Sequence, residues 1–216
     1  MFLIKQVIFD LDGTLVDAFK AVTVSLNYAL KQNGYSGLSY ETIKRKVGWG
    51  DRHLVSCFVK EKDVDAVLAD YRRHHRAALK KGVKLLPGAK ELLFELKHKK
   101  YQLAIASNRP TLFTNIILRT LTVKKYFDHV LCADRVKNPK PAPDLLREIL
   151  KRSALKSSQV LYVGDMAIDA QTGRRARMRT VIVLTGSNSY RQVAPLKPFK
   201  IIRHLKELTP LLYRMS

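Results

Sequence analysis

Residues 7–15 read VIFDLDGTL. Val7, Ile8 and Phe9 have the β-branched and aromatic character of a strand buried on both faces. That strand runs straight into Asp10 and Asp12, one residue apart, with Gly13 and Thr14 directly behind them. Two carboxylates this close oppose each other's ionisation unless a cation or a proton sits between them. The stretch predicts a buried strand whose carboxyl end receives something positive.

Outward from this strand the chain has two textures. From Phe19 to Lys84 the spacing is helical: Phe19, Val22, Leu26, Ala29 and Leu30 share one face, and Gly34 stops it. Ser39 reads as the N-cap of a short helix through Val47, broken by Gly48-Trp49-Gly50. Val64, Val67, Leu68, Tyr71 and His75 continue the helical pattern to Gly82. After Pro87-Gly88, strands alternate with helices. The helix over 89–100 presents Ala89, Leu92, Leu93 and Leu96, and strands are predicted at 101–106, 129–133, 160–163 and 180–184. Such alternation argues for a parallel sheet covered on both faces, an α/β architecture. The first strand, about 4–9, is cut off from the others by the helical block. The reading is a Rossmann-like core of 1–16 and 85–216, with a small α-helical cap inserted at 17–84.

Composition bounds the function. The 216 residues are 46% hydrophobic, enough for a real core, and carry no internal repeat. Two cysteines, Cys57 and Cys132, are too few for a disulfide framework, so a reducing cytoplasm is the expected setting. Lys5 and Asp10 interrupt any signal-peptide pattern, and no run approaches the roughly 20 apolar residues of a membrane span. Forty Lys and Arg against 18 Asp and Glu give a net charge of +22, which invites a nucleic-acid reading. The basic residues are scattered in short groups such as Arg72-Arg73 and Lys124-Lys125, with neither zinc-finger spacing nor an aromatic RNA-binding signature. A basic surface that attracts anionic small molecules is the favoured reading.

In doubly wound sheets, polar residues just past the carboxyl ends of strands line the ligand crevice. Asp10 and Asp12 follow the first strand, Ser107-Asn108 the second, and Gly164-Asp165 the strand at 160–163, with Asp169 one helical turn further on. Lys140 lies in the loop NPKPAPD after the third strand. If the strand order reverses beside the first strand, Asp10 and Asp165 face each other as oxygen ligands for a hard cation such as Mg2+.

DLDGT (10–14), SN (107–108), KPAPD (140–144) and VGDMAID (163–169) resemble, in order and spacing, the four motifs of the haloacid dehalogenase superfamily. The resemblance runs essentially end to end, and the helical block resembles its small α-helical cap. PGAKELLFELK and VLTGSN are similar to the phosphoglycolate phosphatase and β-phosphoglucomutase branch. The resemblance implies a Mg2+-dependent phosphatase that hydrolyses a small phosphorylated metabolite, phosphoglycolate-like or a sugar phosphate, through an aspartyl phosphate. A phosphomutase of the β-phosphoglucomutase type is the alternative within the family. A basic nucleic-acid-binding protein on a retired hydrolase scaffold is the alternative of another class, disfavoured because no motif residue has been lost. A monomer or homodimer is expected.

The resemblance also assigns roles. Asp10 becomes the nucleophile, and Asp12 the group that protonates the leaving oxygen and then activates water. Mg2+ takes Asp10, the Asp12 backbone carbonyl and Asp165, with Asp169 as a further ligand or an orienting neighbour. Ser107 and Lys140 meet the phosphoryl oxygens, with Gly13, Thr14 and Asn108 as further substrate contacts. Arg52, with His53, is the candidate to reach down from the cap; Trp49 is compatible with cap core or with a substrate-facing position. Asp144 is expected to cap the helix LLREILKR, Asp17 is a possible cap for the first cap helix, and His74-His75 are expected on a solvated face. Two positions depart from the family pattern: Arg177 stands where relatives often have a small residue, and Ala18 where a serine is common.

Overall fold

The structure is a computed structural model describing residues 3–215. In chain order, β1 (Gln6–Phe9) and the short β2 (Val16–Asp17) precede four helices, α1 (Phe19–Gln32), α2 (Tyr40–Lys44), α3 (Asp51–Ser56) and α4 (Val64–Gly82). After β3 (Lys84–Leu85) the elements alternate: α5 (Ala89–His98), β4 (Gln102–Ser107), α6 (Thr111–Thr120), β5 (His129–Cys132), α7 (Asp144–Ser153) and β6 (Val160–Gly164). The chain closes with α8 (Ala167–Arg175), β7 (Arg179–Val183), α9 (Tyr190–Val193), β8 (Lys200–Ile202) and α10 (Leu208–Tyr213).

Six strands form one parallel sheet in the order β5-β4-β1-β6-β7-β8. The strand that opened the sequence analysis is therefore interior, and every residue of QVIF is buried. Phe9 pairs with Ile105 on one side and Val163 on the other, so the ends of β1, β4 and β6 lie level. The order reverses beside β1, the switch point where α/β sheets open a crevice. Two features were not foreseen: the sixth sheet strand, β8, and the antiparallel pair β2–β3, which joins Val16 to Leu85 and Asp17 to Lys84. Strands of two or three residues carry too little alternation to be read.

Between β2 and β3 the chain is helical, and it has its own apolar cluster. Phe19, Val22, Leu26 and Leu30 of α1 bury against Val67, Leu68 and Tyr71 of α4, apart from the cluster that covers the sheet. On this ground we assign 17–84 to a cap and 1–16 with 85–216 to a core. Ser39 does cap α2, accepting the Thr42 N–H at 3.2 Å. Asp17 Oδ1 accepts the Phe19 N–H at 3.2 Å at the start of α1.

Two local expectations are corrected. His75 is fully buried rather than solvated, because it continues the apolar register of Val64, Val67, Leu68 and Tyr71 on α4. Asp144 is the first residue of α7 rather than its N-cap; its Oδ2 accepts from the Asn138 side-chain amide at 3.0 Å and holds the preceding loop. Arg177, the departure noted in the sequence, has φ 56 and is the left-handed residue just past α8, a conformation that glycine adopts most readily.

Candidate active site

β1 delivers Asp10 to the crevice, with its N–H donating to the Val163 carbonyl at 2.8 Å. Beyond it the chain turns tightly: the N–H groups of Thr14, Leu15 and Val16 converge on the Leu11 carbonyl at 3.3, 2.9 and 3.0 Å. Gly13 has φ 80, and a Cβ on it would lie 2.5 Å from Asp165 Oδ2. Only glycine allows the turn to press against that carboxylate. Gly186, in the closing VLTGSN stretch, lies closer still; a Cβ there would come within 1.6 Å of the same oxygen.

Lys140 is the hub. The residue is 4% exposed, and its ammonium donates to Asp10 Oδ1 at 2.5 Å, Asp169 Oδ1 at 2.8 Å and the Tyr162 hydroxyl at 3.1 Å. Three donors thus meet three acceptors. Tyr162 donates to Asp169 Oδ1 at 2.6 Å, while Asp169 Oδ2 accepts the Asp165 and Met166 N–H groups at 3.2 and 3.1 Å. Both Asp169 oxygens are therefore engaged within the protein. Asp165 Oδ1 accepts the Thr14 hydroxyl at 2.9 Å, and Asp165 Oδ2 is buried with no hydrogen-bond partner.

Asp10, Asp165 and Asp169 each offer an oxygen within 4.8 Å of the others. Burial pushes the Asp10 carboxyl up to about 7, with Lys140 pulling it down and Asp169 adding to the rise. Burial, then Asp10 and Asp169, hold Asp165 well above the ordinary carboxylate range. Burial disfavours the Lys140 charge, but Asp10 and Asp169 outweigh it and keep the ammonium charged. With all three carboxylates ionised, the single Lys140 cation would leave negative charge unmatched, and burial together with that surplus holds Asp10 and Asp165 up. The orphaned Asp165 oxygen and the all-oxygen donor set fit a hard divalent ion such as Mg2+.

Asp12 is engaged by a residue that the sequence reading passed over. Arg109 grips it with a two-point fork, Nε to Oδ2 and Nη2 to Oδ1, both at 2.8 Å. The third arm, Nη1, donates to His75 Nε2 at 2.8 Å, and His75 Nδ1 lies 3.0 Å from Ser25 Oγ. Burial lowers the charge-bearing tendency of Arg109, yet Asp12 holds it firmly protonated. Because a guanidinium only donates, Nε2 of His75 accepts and Nδ1 carries the hydrogen. Arg109 directly follows the SN motif, and that adjacency is the one signal that could have found it.

Ser107 and Asn108 both line the pocket above Asp10. Ser107 Oγ accepts the Arg109 N–H at 3.1 Å and keeps its own hydrogen to give. Asn108 is instead committed within the protein: Oδ1 accepts the Lys140 N–H at 2.9 Å, and Nδ2 donates to the carbonyls of Lys140 and Gly48, each at 3.1 Å. Arg52 is not brought to this pocket. Its side chain is 57% exposed and pairs with Asp65 at 2.5 Å. His53 approaches Cys57, and Trp49 is 45% exposed against the His53 ring. The helical segment offers Val22, Val47, Leu54, Tyr71 and Asp51 to the pocket, and Arg72 engages Asp51 at 2.7 and 3.1 Å. The pocket is partly open to solvent and its cavity volume is about 40 Å³, room for a few waters.

His75 yields a prediction about stability. Burial, then the Arg109 charge, lowers its imidazole to about 2. An unfolded histidine titrates near 6.5, so below that pH the unfolded chain takes up a proton that the folded one refuses. Stability is whole above about pH 6.5 and falls by about 1.4 kcal/mol per pH unit below it, roughly 2 kcal/mol by pH 5. Asp10 acts in the opposite sense over the same range, because its raised value lets the folded state keep a proton. The effect is therefore read as a difference. His75→Gln, which keeps an acceptor for Arg109, should lose stability less steeply than wild type in urea melts taken from about pH 6.5 to pH 5. Parallel curves would show that His75 is not the buried neutral base.

Comparison with known proteins identifies the family. The family model for haloacid dehalogenase-like hydrolases matches residues 7–183. A phosphoglycolate phosphatase of Nitrosospira multiformis is 32% identical over 221 residues, 99% of this chain and 97% of its own length. One from Rhodobacter capsulatus is 32% identical over 186 residues, 83% of this chain and 84% of its own length. Among solved structures, that of a predicted phosphoglycolate phosphatase from Haemophilus somnus superposes with a TM-score of 0.91 at 25% identity, covering 98% of this chain and 99% of that one. The chain belongs to the haloacid dehalogenase-like hydrolase family.

Proposed function

We propose that this chain is a Mg2+-dependent phosphatase that hydrolyses a small phosphorylated metabolite through a phosphoryl group carried on Asp10. The similarity to phosphoglycolate phosphatases favours phosphoglycolate-like esters or sugar phosphates as the substrate class. The observation that carries the reading is the buried Asp10 at the end of the central strand, with the Lys140 ammonium 2.5 Å from its Oδ1. A carboxylate so placed is a nucleophile for phosphorus, and the lysine offsets the charge that carboxylate and phosphate share. Asp12 protonates the leaving oxygen and then takes a proton from the water that attacks the aspartyl phosphate. Ser107 donates its hydroxyl to a phosphoryl oxygen. Gly13 and Thr14, expected as further substrate contacts, are instead committed within the turn, where the N–H groups of residues 13 to 16 are bonded to Val16 and Leu11 carbonyls and the Thr14 hydroxyl is given to Asp165.

Asp10, the Asp12 backbone carbonyl and Asp165 would hold the metal, and Asp169, with both oxygens engaged, would orient Lys140 and the turn after β6. When bound there, Mg2+ keeps the clustered carboxylates ionised and withdraws charge from the phosphoryl oxygens. Among the described residues no helix is long and apolar enough to cross a membrane. The two free cysteines, Cys57 and Cys132, suit a cytoplasmic setting.

The test is phosphate release from a panel of monoesters, with and without EDTA, alongside thermal melts. Hydrolysis should need Mg2+, and Ca2+ should inhibit because its larger, looser coordination shell misplaces the attacking carboxylate. Mg2+ at 100 times its Kd should add about 2.7 kcal/mol of stability. The gain should be larger at about pH 8 than at about pH 5.5, since Asp10, raised to about 7, holds a proton against the metal at the lower pH. Undiminished hydrolysis in EDTA would refute the metal assignment, and no hydrolysis of any monoester would refute the function.

A further inference from the structure

Arg109 is the one cationic side chain among the described residues that line the pocket. Around it the wall from the helical segment is apolar, with Val22, Val47, Leu54 and Tyr71, and the acidic Asp51 is already matched by Arg72. A substrate whose phosphate reaches Asp10 therefore meets a single further group able to attract an anion. That group is in use: the Arg109 fork covers both oxygens of Asp12, and Arg109 is only 9% exposed. Under the phosphatase reading, Asp12 has to offer a proton to the leaving oxygen. It cannot offer one from an oxygen pair spanned by a guanidinium. Arg109 and the leaving group compete for Asp12.

We propose that Arg109 is the specificity-determining residue of this site: it receives a carboxylate carried by the substrate, and in doing so releases Asp12, which takes a proton from solvent and passes it to the leaving oxygen. The inference rests on the phosphatase reading above. The exchange is of one carboxylate for another on the same planar fork, so two charge-assisted hydrogen bonds are lost and two are made. The buried guanidinium is never left without an anion, and the proton that Asp12 takes up spares it an unpaired charge, so neither member meets the costly condition. His75 stays on Nη1 throughout, as the neutral acceptor that fixes the third arm while the other two change partner. An ester without a carboxylate leaves Arg109 on Asp12. Interaction with a remote substrate group is thereby expressed in kcat as well as in KM.

The experiment compares 2-phosphoglycolate with 2-hydroxyethyl phosphate, an ester of similar size that lacks the charge, on wild type, Arg109→Met and Arg109→Lys. Wild type should prefer the carboxylated ester by about 100-fold in kcat/KM, with much of the difference in kcat. Arg109→Met should reduce that preference to a few-fold. Arg109→Lys, with the charge but not the fork, should regain part of it in KM and little in kcat. A second measurement needs no variant: free acetate should accelerate wild-type hydrolysis of methyl phosphate several-fold, by occupying the fork in place of the missing substrate group. This keeps the inference testable should Arg109→Met fail to fold.

A purely structural role for Arg109 would lower both esters by the same factor and leave the ratio intact, which overturns the inference. Equal kcat/KM for the two esters in wild type, or no response to acetate, overturns it as well. In each of these cases hydrolysis itself persists and the phosphatase reading stands. Hydrolysis of neither ester, nor of any other monoester, removes both together.

Discussion

Asp10→Asn is expected to lose turnover by roughly 10^4-fold or more while folding as wild type. The amide that replaces the carboxylate has no charge to place on phosphorus, so the step with which the reaction begins is gone. The fold has less to lose. Burial already disfavours the Asp10 charge, and its removal eases the repulsion with Asp165 and Asp169. Lys140 keeps two of its three acceptors, Asp169 and the Tyr162 hydroxyl. Metal-free thermal melts should accordingly show the variant as stable as wild type or more so, most clearly above about pH 7, where the native aspartate is ionised. Phosphate release measured on the same preparation decides the mechanism. Full activity in the folded variant would remove Asp10 from the nucleophile's place.

Lys140→Met should cost both activity and stability. Among the described residues the ammonium is the one charge-matched partner of Asp10 and Asp169, and all three groups are buried. Removing one member of a buried ion cluster leaves the others uncompensated, a loss of about 3–5 kcal/mol. Lys140 is also what holds Asp10 down against burial, so without it the carboxyl rises further and protonates at higher pH. Turnover should fall by about 10^3-fold, since a preorganised charge beside the phosphoryl oxygens is lost. Urea melts in metal-free buffer measure the first effect and phosphate release the second. Mg2+ should return part of the stability and little of the activity. A variant as stable as wild type without metal would show that Lys140 does not neutralise this cluster.

The sheet and the polar ends of its strands were legible because parallel strands buried on both faces leave nearly unbroken apolar runs, and the residue after each run falls at the crevice. Asp10, Ser107 and Asp165 are read in that way, and Asp169 follows by one helical turn. What stayed hidden depends on contacts across the chain. Arg109 meets Asp12 from 97 residues away, and neither a period nor a spacing announces it. His75 shares the register of Tyr71 in the sequence, but that it is buried follows from Arg109 and Phe113, which reach it from across the chain. Arg52 sits on a six-residue helix, too short for its spacing to fix which side faces inward, and Asp65 draws it outward. Tyr162 looks like one more core residue of VLYV until its hydroxyl is seen beside Lys140. Gly186 gives no sign of the carboxylate pressed against it.

Asn108 joins two parts of the molecule that the chain order keeps far apart. Its amide nitrogen reaches the Gly48 carbonyl on the helical segment and the Lys140 carbonyl on the core, while its oxygen holds the Lys140 N–H. Two of these three bonds fix the backbone of the loop that supplies the site's buried cation, and the third holds the turn at Gly48 that forms part of the wall above it. The cation and its roof thus hang from a single amide: what displaces one pulls on the anchor of the other.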